Sequence, residues 1–422
     1  MEALETAVRR EALRLAGKVV ERWLNTDTSD YAGSHLPCSC GQDARYAGRR
    51  SKSVQSVLGR LELERAYYHC GDCGQGFYPR DHQWGKEHSS LSPAVTRMVG
   101  TVGALVSFEE GSQLMAELAG VEVDTKQVER TAEALGAEIA ADEKQDLVAV
   151  QETSLPETLY LGIDGTGVPM RRSELEGSAG KQPDGSAKTR EVKLCTVWSA
   201  EARDAQGRPV RDQGSVTYSA AIERARTRDT DNVLSEFHQR VLRETTRRCF
   251  TQARRTVVIG DGAAWIWNIA DELFPEAIQI VDRFHVKEHL SLVAKTLYRA
   301  ESKQAKLWAK RRHEELDAGR FVELLRAVGR HAARCDEARK CLHYLQHNKT
   351  RMQYRKFEAQ GLCTSSGIVE AGCKVAIGTR LKRAGMHWTV RGANAIIALR
   401  CSKLSGRFQD FWERRPDQRR AA

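Results

Sequence analysis

The chain has 422 residues, 41% of them hydrophobic and 29% charged, and its length predicts two to four domains because single cores rarely grow past about 250–300 residues. It contains no run of about 18 apolar residues that would span a membrane, and the charges of Glu2, Glu5 and Arg9 interrupt any signal-peptide pattern. We therefore expect a cytoplasmic protein.

The formal net charge of +10 is distributed unevenly along the chain. Residues 281–422 hold 31 Lys and Arg against 14 Asp and Glu, a balance of +17, whereas residues 1–280 hold 35 against 42, a balance of −7. Basic charge concentrated in one third of a chain is typical of a surface that contacts phosphate backbones. A pair of solvated basic helices would also explain the excess, and charge alone does not distinguish DNA from RNA.

Residues 1–34 are predicted to contain one amphipathic helix, over residues 2–24. Its apolar side chains recur at helical spacing with charges between them, and they are Leu4, Val8, Leu13, Leu15, Val19, Val20, Trp23 and Leu24. Either core packing or dimerisation would explain such a helix.

Residues 35–85 combine two cysteine pairs with a stretch of alternating polarity. The alternation of residues 53–68 predicts a β-hairpin that turns at Gly59, with one cysteine pair on each side of it. Two thiolate pairs across a hairpin provide the four sulfurs that Zn²⁺ favours. We therefore predict a zinc-ribbon-like hairpin with a structural Zn²⁺ on Cys38, Cys40, Cys70 and Cys73.

Two alternatives to this zinc site stay open at the sequence level. The first pair is one residue shorter than the usual knuckle, so His35 could replace a cysteine as ligand, and all four thiols could also be free and reduced. The remaining cysteines are scattered and are expected to be buried or inert thiols: Cys195, Cys249, Cys335, Cys341, Cys363, Cys373 and Cys401.

Residues 90–150 are predicted to be a helical, helix-turn-helix-like DNA-binding region. A helix from Phe108 is followed by a turn at Gly120 and by a second helix that Asp124 would cap. This order is typical of helix-turn-helix DNA readers, in which the second helix enters the major groove. The reading side chains would be Lys126, Gln127 and Arg130, although many helical hairpins share the pattern without binding DNA.

A predicted linker over residues 139–156 leads into an α/β region at residues 157–285. Strands are predicted at 159–163, 192–198, 215–219, 256–260 and 277–281, and a helix is predicted from Ala221 to Arg247. Residues 286–360 are basic and helical, and we expect them to form an insertion. Residues 361–422 complete the region with one core helix and a basic C-terminal segment.

Three carboxylates in this region suggest a catalytic metal site. Asp164 and Asp261 each follow a hydrophobic strand and precede a glycine, and Glu370 lies near the start of a helix that Ser365 or Ser366 could cap. Converging carboxylates can hold the two divalent ions that phosphodiester chemistry uses. In the alternative interpretation, the two Asp-Gly pairs cap turns and Glu370 forms a surface pair with Lys374.

The segment after Glu370 mixes cations with an indole, a combination that suits a DNA phosphate track with one stacking or wedge residue. Its candidate DNA-binding residues are Lys374, Arg380, Lys382, Arg383, Trp388 and Arg391. A core position is an equally reasonable interpretation for Trp388.

These stretches resemble the DDE transposases of bacterial insertion sequences, in particular the ISKra type. The resemblance rests on residues 162–169, 260–267, 281–285 and 365–401, which occur in the family's order. It implies a ribonuclease H-like catalytic core with a helical insertion, Mg²⁺ or Mn²⁺, and double-stranded DNA as substrate. It also implies a homodimer or larger synaptic assembly, because transposition pairs two DNA ends.

The resemblance also implies roles for individual residues. Asp164 would bridge two metal ions, Asp261 would bind one of them and Glu370 the other. His285, in the Asp282-x-x-His285 signature, would be an accessory catalytic group, and Asp282 could be an extra ligand; a structural His285 is the alternative. Two rival functions remain, a ribonuclease H-like nuclease or resolvase, and a non-catalytic DNA-binding protein derived from a transposase.

Overall fold

The protein was analysed as a computed structural model, which describes residues 1–83, 89–145, 155–176, 180, 182, 187–225, 234–365 and 371–421. The chain divides into two units: Met1–Gly136 with Arg407–Ala422, and Ala137–Gly406. Glu370 and residues 146–154 of the predicted linker lie outside the described residues. None of the described helices has the length and apolarity needed to cross a membrane.

The first unit contains a four-stranded antiparallel sheet and several helices. Its strands are β1 (His35–Pro37), β2 (Asp43–Ser56), β3 (Gly59–His69) and β4 (Gly76–Phe77), in the order β1-β2-β3-β4. Its helices are α1 (Glu2–Thr26), α2 (Pro79–Gln83), α3 (Pro93–Leu105), α4 (Phe108–Leu114, extended by a π-helical turn Met115–Ala119), the first half of α5 (Thr125–Gln145), and a C-terminal helix Phe408–Ala421.

The β2–β3 hairpin forms where the alternation of the sequence predicts it. Ser56 pairs with Gly59 across the turn, and Gly59 adopts φ +103°, which glycine accepts without strain. The apolar face of the hairpin packs against the inner face of α1, with Leu61 and Leu63 buried beside Val20 and Leu24. This inner face accounts for only part of the helix's apolar residues.

Helices α4 and α5 form the predicted helix, turn and helix. Ser107 and Glu110 make a capping box at the start of α4, Gly120 ends that helix at φ +68°, and the Asp124 carboxylate accepts the Gln127 N–H at 2.9 Å. The predicted linker start at residue 139 is wrong, because α5 continues to Gln145. The buried face of α5, which includes Leu135, extends to Ile139 at helical spacing.

The second unit is built on a mixed five-stranded sheet in the order β11-β10-β5-β6-β9. These strands are β5 (Thr158–Pro169), β6 (Thr189–Ser199), β9 (Thr217–Ala221), β10 (Arg255–Gly260) and β11 (Ile278–Val281); β7 (Ala202–Arg203) and β8 (Pro209–Val210) form a separate pair. Strands β5, β6 and β9 are antiparallel, whereas β10 and β11 run parallel to β5. All five predicted strands are present, so the α/β class is confirmed.

The helices of the second unit surround this sheet. They are α6 (Glu236–Arg247), α7 (Ala264–Leu273), α8 (Arg283–Leu297), α9 (Lys303–Asp317), α10 (Phe321–Ala332), α11 (Asp336–His347), α12 (Tyr354–Ala359), α13 (Thr379–Leu381, after a π-helical turn Cys373–Gly378) and α14 (Val390–Leu404). The predicted helix start at Ala221 is wrong. Ala221 still pairs within β9, and the Ser235 hydroxyl caps α6 one residue before Glu236.

The predicted helical insertion is not separated from the sheet by a core of its own. One hydrophobic cluster contains Leu161 of β5 and Ile259 of β10 together with Leu324 of α10 and Leu345 of α11. The helices between β11 and residue 360 therefore belong to the same packed body as the sheet.

Candidate active site and cysteine cluster

Asp164 and Asp261 lie on neighbouring strands of the second unit. Strands β5 and β10 pair in parallel up to Ile163 and Gly260, and the two aspartates are the next residues on each strand. The structure differs from the prediction in one respect: β10 ends there, but β5 continues to Pro169 against β6. Asp164 therefore lies inside a strand at the point where its parallel neighbour ends.

The Asp164 carboxylate is partly buried and is held by two donors. Its Oδ1 accepts the Gly165 N–H at 2.7 Å, and the Cys373 thiol hydrogen bonds to it. Burial raises the pKa of Asp164, the bonds from Cys373 and Gly165 lower it, and the nearby Asp261 carboxylate raises it again. Desolvation and a like charge both disfavour the ionised form, which is the arrangement that a bound cation relieves.

Asp261 is positioned by its own turn and by α11. Its Oδ1 accepts the Ala263 N–H at 2.9 Å, and its main-chain carbonyl accepts the Tyr344 hydroxyl at 2.6 Å. Gly262 adopts φ +99°, and a Cβ there would lie 2.4 Å from Cε2 of Tyr344. The glycine after the second aspartate is therefore required both by backbone conformation and by the approach of a tyrosine ring.

The start of α8 brings a pair of histidines to this region. Asp282 caps α8 by accepting the Phe284 N–H at 2.7 Å, and its own N–H donates to Gly260 at the end of β10. His285 lies close enough for its positive form to lower the pKa of Asp164, and its Nδ1 is 3.2 Å from Glu288. Asp282 is almost fully buried and caps the helix, and its role as an extra metal ligand stays a prediction.

A second histidine lies one turn further along α8. The ring of His289 packs on Tyr344 with centroids 4.4 Å apart, and burial together with the neighbouring His285 lowers the pKa of His289. The sequence analysis did not identify either His289 or Tyr344, since neither belongs to a motif.

The chain that follows Glu370 in sequence crosses the same sheet. Gly372 packs so closely that a Cβ would lie 3.1 Å from Leu194 of β6, and Cys373 reaches Asp164. The buried Arg400 holds the π-helical turn by donating to the Val375 carbonyl at 3.0 Å. A π-helical turn inside a helix is frequent at functional sites.

Cys373 is buried, as expected for the scattered cysteines, but it also contacts Asp164, which the sequence analysis did not predict. Its thiol is buried, and the negative charge of Asp164 together with that burial raises the pKa of Cys373. The sequence contained one signal for this contact: Cys373 follows Glu370 by three residues, which is close to one turn of the helix predicted there.

The predicted DNA-binding residues after Glu370 fall into two groups. Lys374, Lys382, Arg383 and Arg391 are exposed, and the Lys382 ammonium contacts the Thr166 hydroxyl, two residues after Asp164 on β5. Arg380 and Trp388 instead lie in the interior.

The interior pair follows the core alternative left open for Trp388. The Arg380 guanidinium lies over the indole at 5.3 Å from the ring centroid, and the indole N–H donates to the Leu381 carbonyl. A buried guanidinium that lies over a buried indole does not reach a DNA surface in this conformation.

On α5, the three predicted reading residues lie near its start. Lys126 is exposed and pairs with Glu129 at 2.7 Å, Gln127 donates to the Ser90 hydroxyl at 2.8 Å, and Arg130 is exposed. Their contact with DNA stays a prediction.

The four cysteines of the N-terminal hairpins converge at one end of the first sheet. Cys38 and Cys40 lie in the β1–β2 turn, and Cys70 and Cys73 lie in the β3–β4 turn. The Sγ atoms of Cys38 and Cys73, and those of Cys40 and Cys70, are 3.6 Å apart, and all four lie within 4.8 Å of one another. Four sulfurs about 2.3 Å from a central Zn²⁺ would lie about 3.8 Å apart, so the cluster fits that ion.

Both turns of the cluster have the same construction. The Cys38 N–H donates to Gln42 and the Cys70 N–H donates to Gln75, each at 2.8 Å, and Gly41 and Gly74 supply positive φ angles of +87° and +70°. Cys38-x-Cys40 therefore completes the set despite its short spacing. His35 is not needed as a replacement ligand, and its Nδ1 lies 3.0 Å from the Ser34 hydroxyl.

The thiols of the cluster share their protons unequally. A hydrogen bond from the Cys40 backbone, supported by the neighbouring thiols, lowers the pKa of Cys38 to about 7. The pKa of Cys40 is raised to about 12, because partial burial and bonds to its neighbours outweigh the bond from the Gln42 backbone. Cys38 is therefore the thiol that ionises most readily, while Cys40 keeps its proton. A bound metal ion would take the place of the protons on these thiols.

Among the described residues, these cysteines are the only group of three or more Cys, His, Asp or Glu side chains arranged to hold a metal ion. Asp164 and Asp261 do not form such a group by themselves, and Glu370 lies outside the described residues. The cysteine cluster can therefore bind a metal such as zinc. The described residues alone do not form a comparable site for Mg²⁺ or Mn²⁺.

The chain belongs to the family described as "Uncharacterised protein family (UPF0236)", whose profile matches residues 42–415. None of the curated proteins matches the sequence. Among solved structures, the chain is similar to the Drosophila P element transposase strand transfer complex, with 10% identity, 79% of this chain and 83% of that chain covered, and a TM-score of 0.26. A TM-score this low supports no conclusion about fold or activity.

Proposed function

We propose that this protein is a DDE transposase of the ISKra type, which cleaves the DNA ends of an insertion sequence in the cytoplasm and transfers them to a target. The observation that carries the proposal is the contact of Asp164 with the Cys373 thiol, at the point where the parallel strand before Asp261 ends. This thiol follows Glu370 by three residues in sequence. If Glu370 only formed a surface pair with Lys374, the contact between Cys373 and Asp164 would have no explanation.

The strand order supports a ribonuclease H-like core. The first three strands in the chain, β5, β6 and β9, are antiparallel neighbours. The fourth and fifth, β10 and β11, lie on the other side of β5 and run parallel to it. This is the arrangement that the resemblance requires, because it sets the first and fourth strands side by side.

The proposed metal site consists of Asp164, Asp261 and Glu370. Carboxylate oxygens suit Mg²⁺ and Mn²⁺, and the raised pKa of Asp164 marks a place where negative charge lacks a counter-ion. When bound, the ions supply activation of the attacking hydroxyl group and stabilisation of the leaving oxygen. Asp164, Asp261 and Glu370 would together hold these ions.

The remaining residues around the site are proposed to orient the two aspartates and to bind the DNA. Tyr344 and the Ala263 N–H fix Asp261, while Gly165 and Cys373 fix Asp164. The Lys382 ammonium, beside Thr166, is proposed to bind a DNA phosphate. His285, which is near enough to Asp164 to lower its pKa, is proposed as an accessory catalytic group. Glu288 lies 3.2 Å from Nδ1 of His285, and we propose that Nε2 is the atom that faces the substrate.

DNA recognition is proposed for three further regions. Lys126, Gln127 and Arg130 on α5 are candidates for reading the element's ends, and the exposed Lys374, Arg383 and Arg391 are candidates for the phosphate backbone. The cysteine hairpin is proposed to be a zinc ribbon with a structural Zn²⁺. The boundaries proposed for these regions are those predicted from the sequence, with residues 1–34 preceding the hairpin.

The experiment that tests the proposal is cleavage of a labelled duplex that carries the DNA flanking the protein's own gene, with Mg²⁺ or Mn²⁺. The variants are Asp261→Ala and the matched control Asp271→Ala, which removes a carboxylate on α7 that accepts a hydrogen bond from Gln279 of β11, outside the site. We expect metal-dependent nicking at the element's end by wild type and control, and loss of nicking in Asp261→Ala.

Two results would change the conclusion. Cleavage without joining of the freed 3′-hydroxyl to a target would favour the nuclease or resolvase. Binding of the duplex with no cleavage by any of the three proteins would replace the transposase proposal with the non-catalytic DNA-binding protein.

A further inference from the structure

Helix α1 has a second apolar face, opposite the one that packs on the β2–β3 hairpin. Its five large hydrophobic side chains are exposed: Leu4 by 65%, Val8 by 60%, Leu15 by 54%, Val19 by 51% and Trp23 by 72%. On a helix with 100° per residue these positions form one continuous stripe. Isolated surface leucines need no explanation, but a contiguous stripe of this size marks a contact surface.

The stripe is self-complementary when α1 is set against a second, antiparallel copy of itself. A two-fold axis between residues 13 and 14 places Leu4 opposite Trp23, Val8 opposite Val19, and Ala12 opposite Leu15. Each large side chain then faces a smaller one or one of equal size. An interface between identical copies requires this kind of matching, because the same patch must serve on both sides.

The surroundings of the stripe fit the same register. Val19, Trp23 and their neighbours line an open groove with a volume of about 550 Å³, which is where Leu4 of the second copy would lie. Along one flank, this register would set Glu11, which pairs with Arg14 of its own helix, within one helical turn of Lys18 of the second copy. Opposite charges therefore border the apolar contact, as in helix pairs whose orientation is set by charge.

The area of the stripe is sufficient for a specific contact. By usual side-chain areas the five residues expose on the order of 500 Å² per copy, so that a pair of helices would bury roughly 1,000 Å² in total, the lower limit for a specific interface. We infer that the outer face of α1, formed by Leu4, Val8, Leu15, Val19 and Trp23, is a homodimerisation surface that pairs two copies of this chain through antiparallel helices. This inference does not depend on the proposed transposase activity.

The test is the molar mass of the full chain by sedimentation equilibrium, without DNA. Val8→Glu places two uncompensated charges in each dimer and should weaken self-association on the order of a hundredfold. Ala7→Glu adds the same charge at an exposed position off the stripe and should leave the dimer intact. Both sites are exposed, so folding is not at stake, and circular dichroism checks it.

A double variant tests the orientation. In Val8→Glu with Val19→Lys, an antiparallel pair sets each glutamate opposite a lysine of the other copy, so dimerisation should return. A parallel pair would set like charges together and stay dissociated, which would overturn the register. A monomeric wild type, or a dimer that Val8→Glu does not weaken, would overturn the homodimer and leave the stripe to a different protein partner.

Discussion

Substitution of Gly262 by alanine tests whether the residue after Asp261 is fixed by both backbone conformation and packing. At φ +99°, a Cβ costs about 1–2 kcal/mol through the backbone alone. It would also lie 2.4 Å from Cε2 and 2.8 Å from the hydroxyl oxygen of Tyr344, and such overpacking costs about 1–3 kcal/mol. Gly262→Ala should therefore lower the free energy of unfolding by about 2–5 kcal/mol.

Two further variants separate these contributions. Gly319→Ala has a comparable positive φ of +68°, but its nearest neighbour is Cδ of Arg355 at 3.6 Å, so it should show the backbone cost alone. In a Tyr344→Ala background the Gly262→Ala cost should fall by about 1–3 kcal/mol, because the ring that the new methyl group meets is gone.

The assay is urea-induced unfolding of the four variants and the wild type, followed by tryptophan fluorescence. Equal costs for Gly262→Ala and Gly319→Ala, with no change in the Tyr344→Ala background, would refute the packing argument. It would follow that the Tyr344 ring is free to move away from Asp261 and does not position it.

Three other predictions concern the metal sites. The purified wild type and Cys363→Ser should contain zinc, measured by elemental mass spectrometry, whereas Cys70→Ser should lack it. Because the pKa of Cys38 is lowered to about 7, its thiolate is lost below that value, so zinc uptake against a chelator should weaken between about pH 8 and about pH 6; a flat profile would contradict this ligand assignment. Cys373→Ala removes a bond that lowers the pKa of Asp164, which is already raised by burial, so the acid limb of metal-dependent cleavage should move to higher pH; an unmoved limb would mean that Cys373 does not act on Asp164.

The sequence predicted the regular elements of this fold well because their apolar patterns are local. Alternation in residues 53–68 indicated the β2–β3 hairpin, and short hydrophobic runs located the five strands of the second sheet. The cysteine spacing indicated the cluster, whose four sulfurs converge as expected. In each case the signal and the structure it specifies lie in the same short stretch of chain.

The errors arise where distant residues decide the local structure. The predicted strand ends at residue 163, yet Gly165 pairs with Lys193 inside a longer strand, and a Cβ there would lie 2.7 Å from Oε1 of Glu191. Arg380 reads as a DNA contact, yet it is buried against Trp388. Composition does not distinguish a cation that faces a phosphate from one that faces an indole, since both partners are recognised by the same charge.

The helices between β11 and residue 360 show why the boundary of the predicted insertion is not a structural boundary. Periodicity reports that a helix has an apolar face, but not which element covers it. In this protein α10 and α11 cover theirs with the same core as β5 and β10, and α11 delivers Tyr344 to the Asp261 carbonyl. The helical region shares the core of the sheet and holds one of the two aspartates, so it contributes to the candidate active site. Substitutions along the buried face of α11 are therefore expected to alter the position of Asp261.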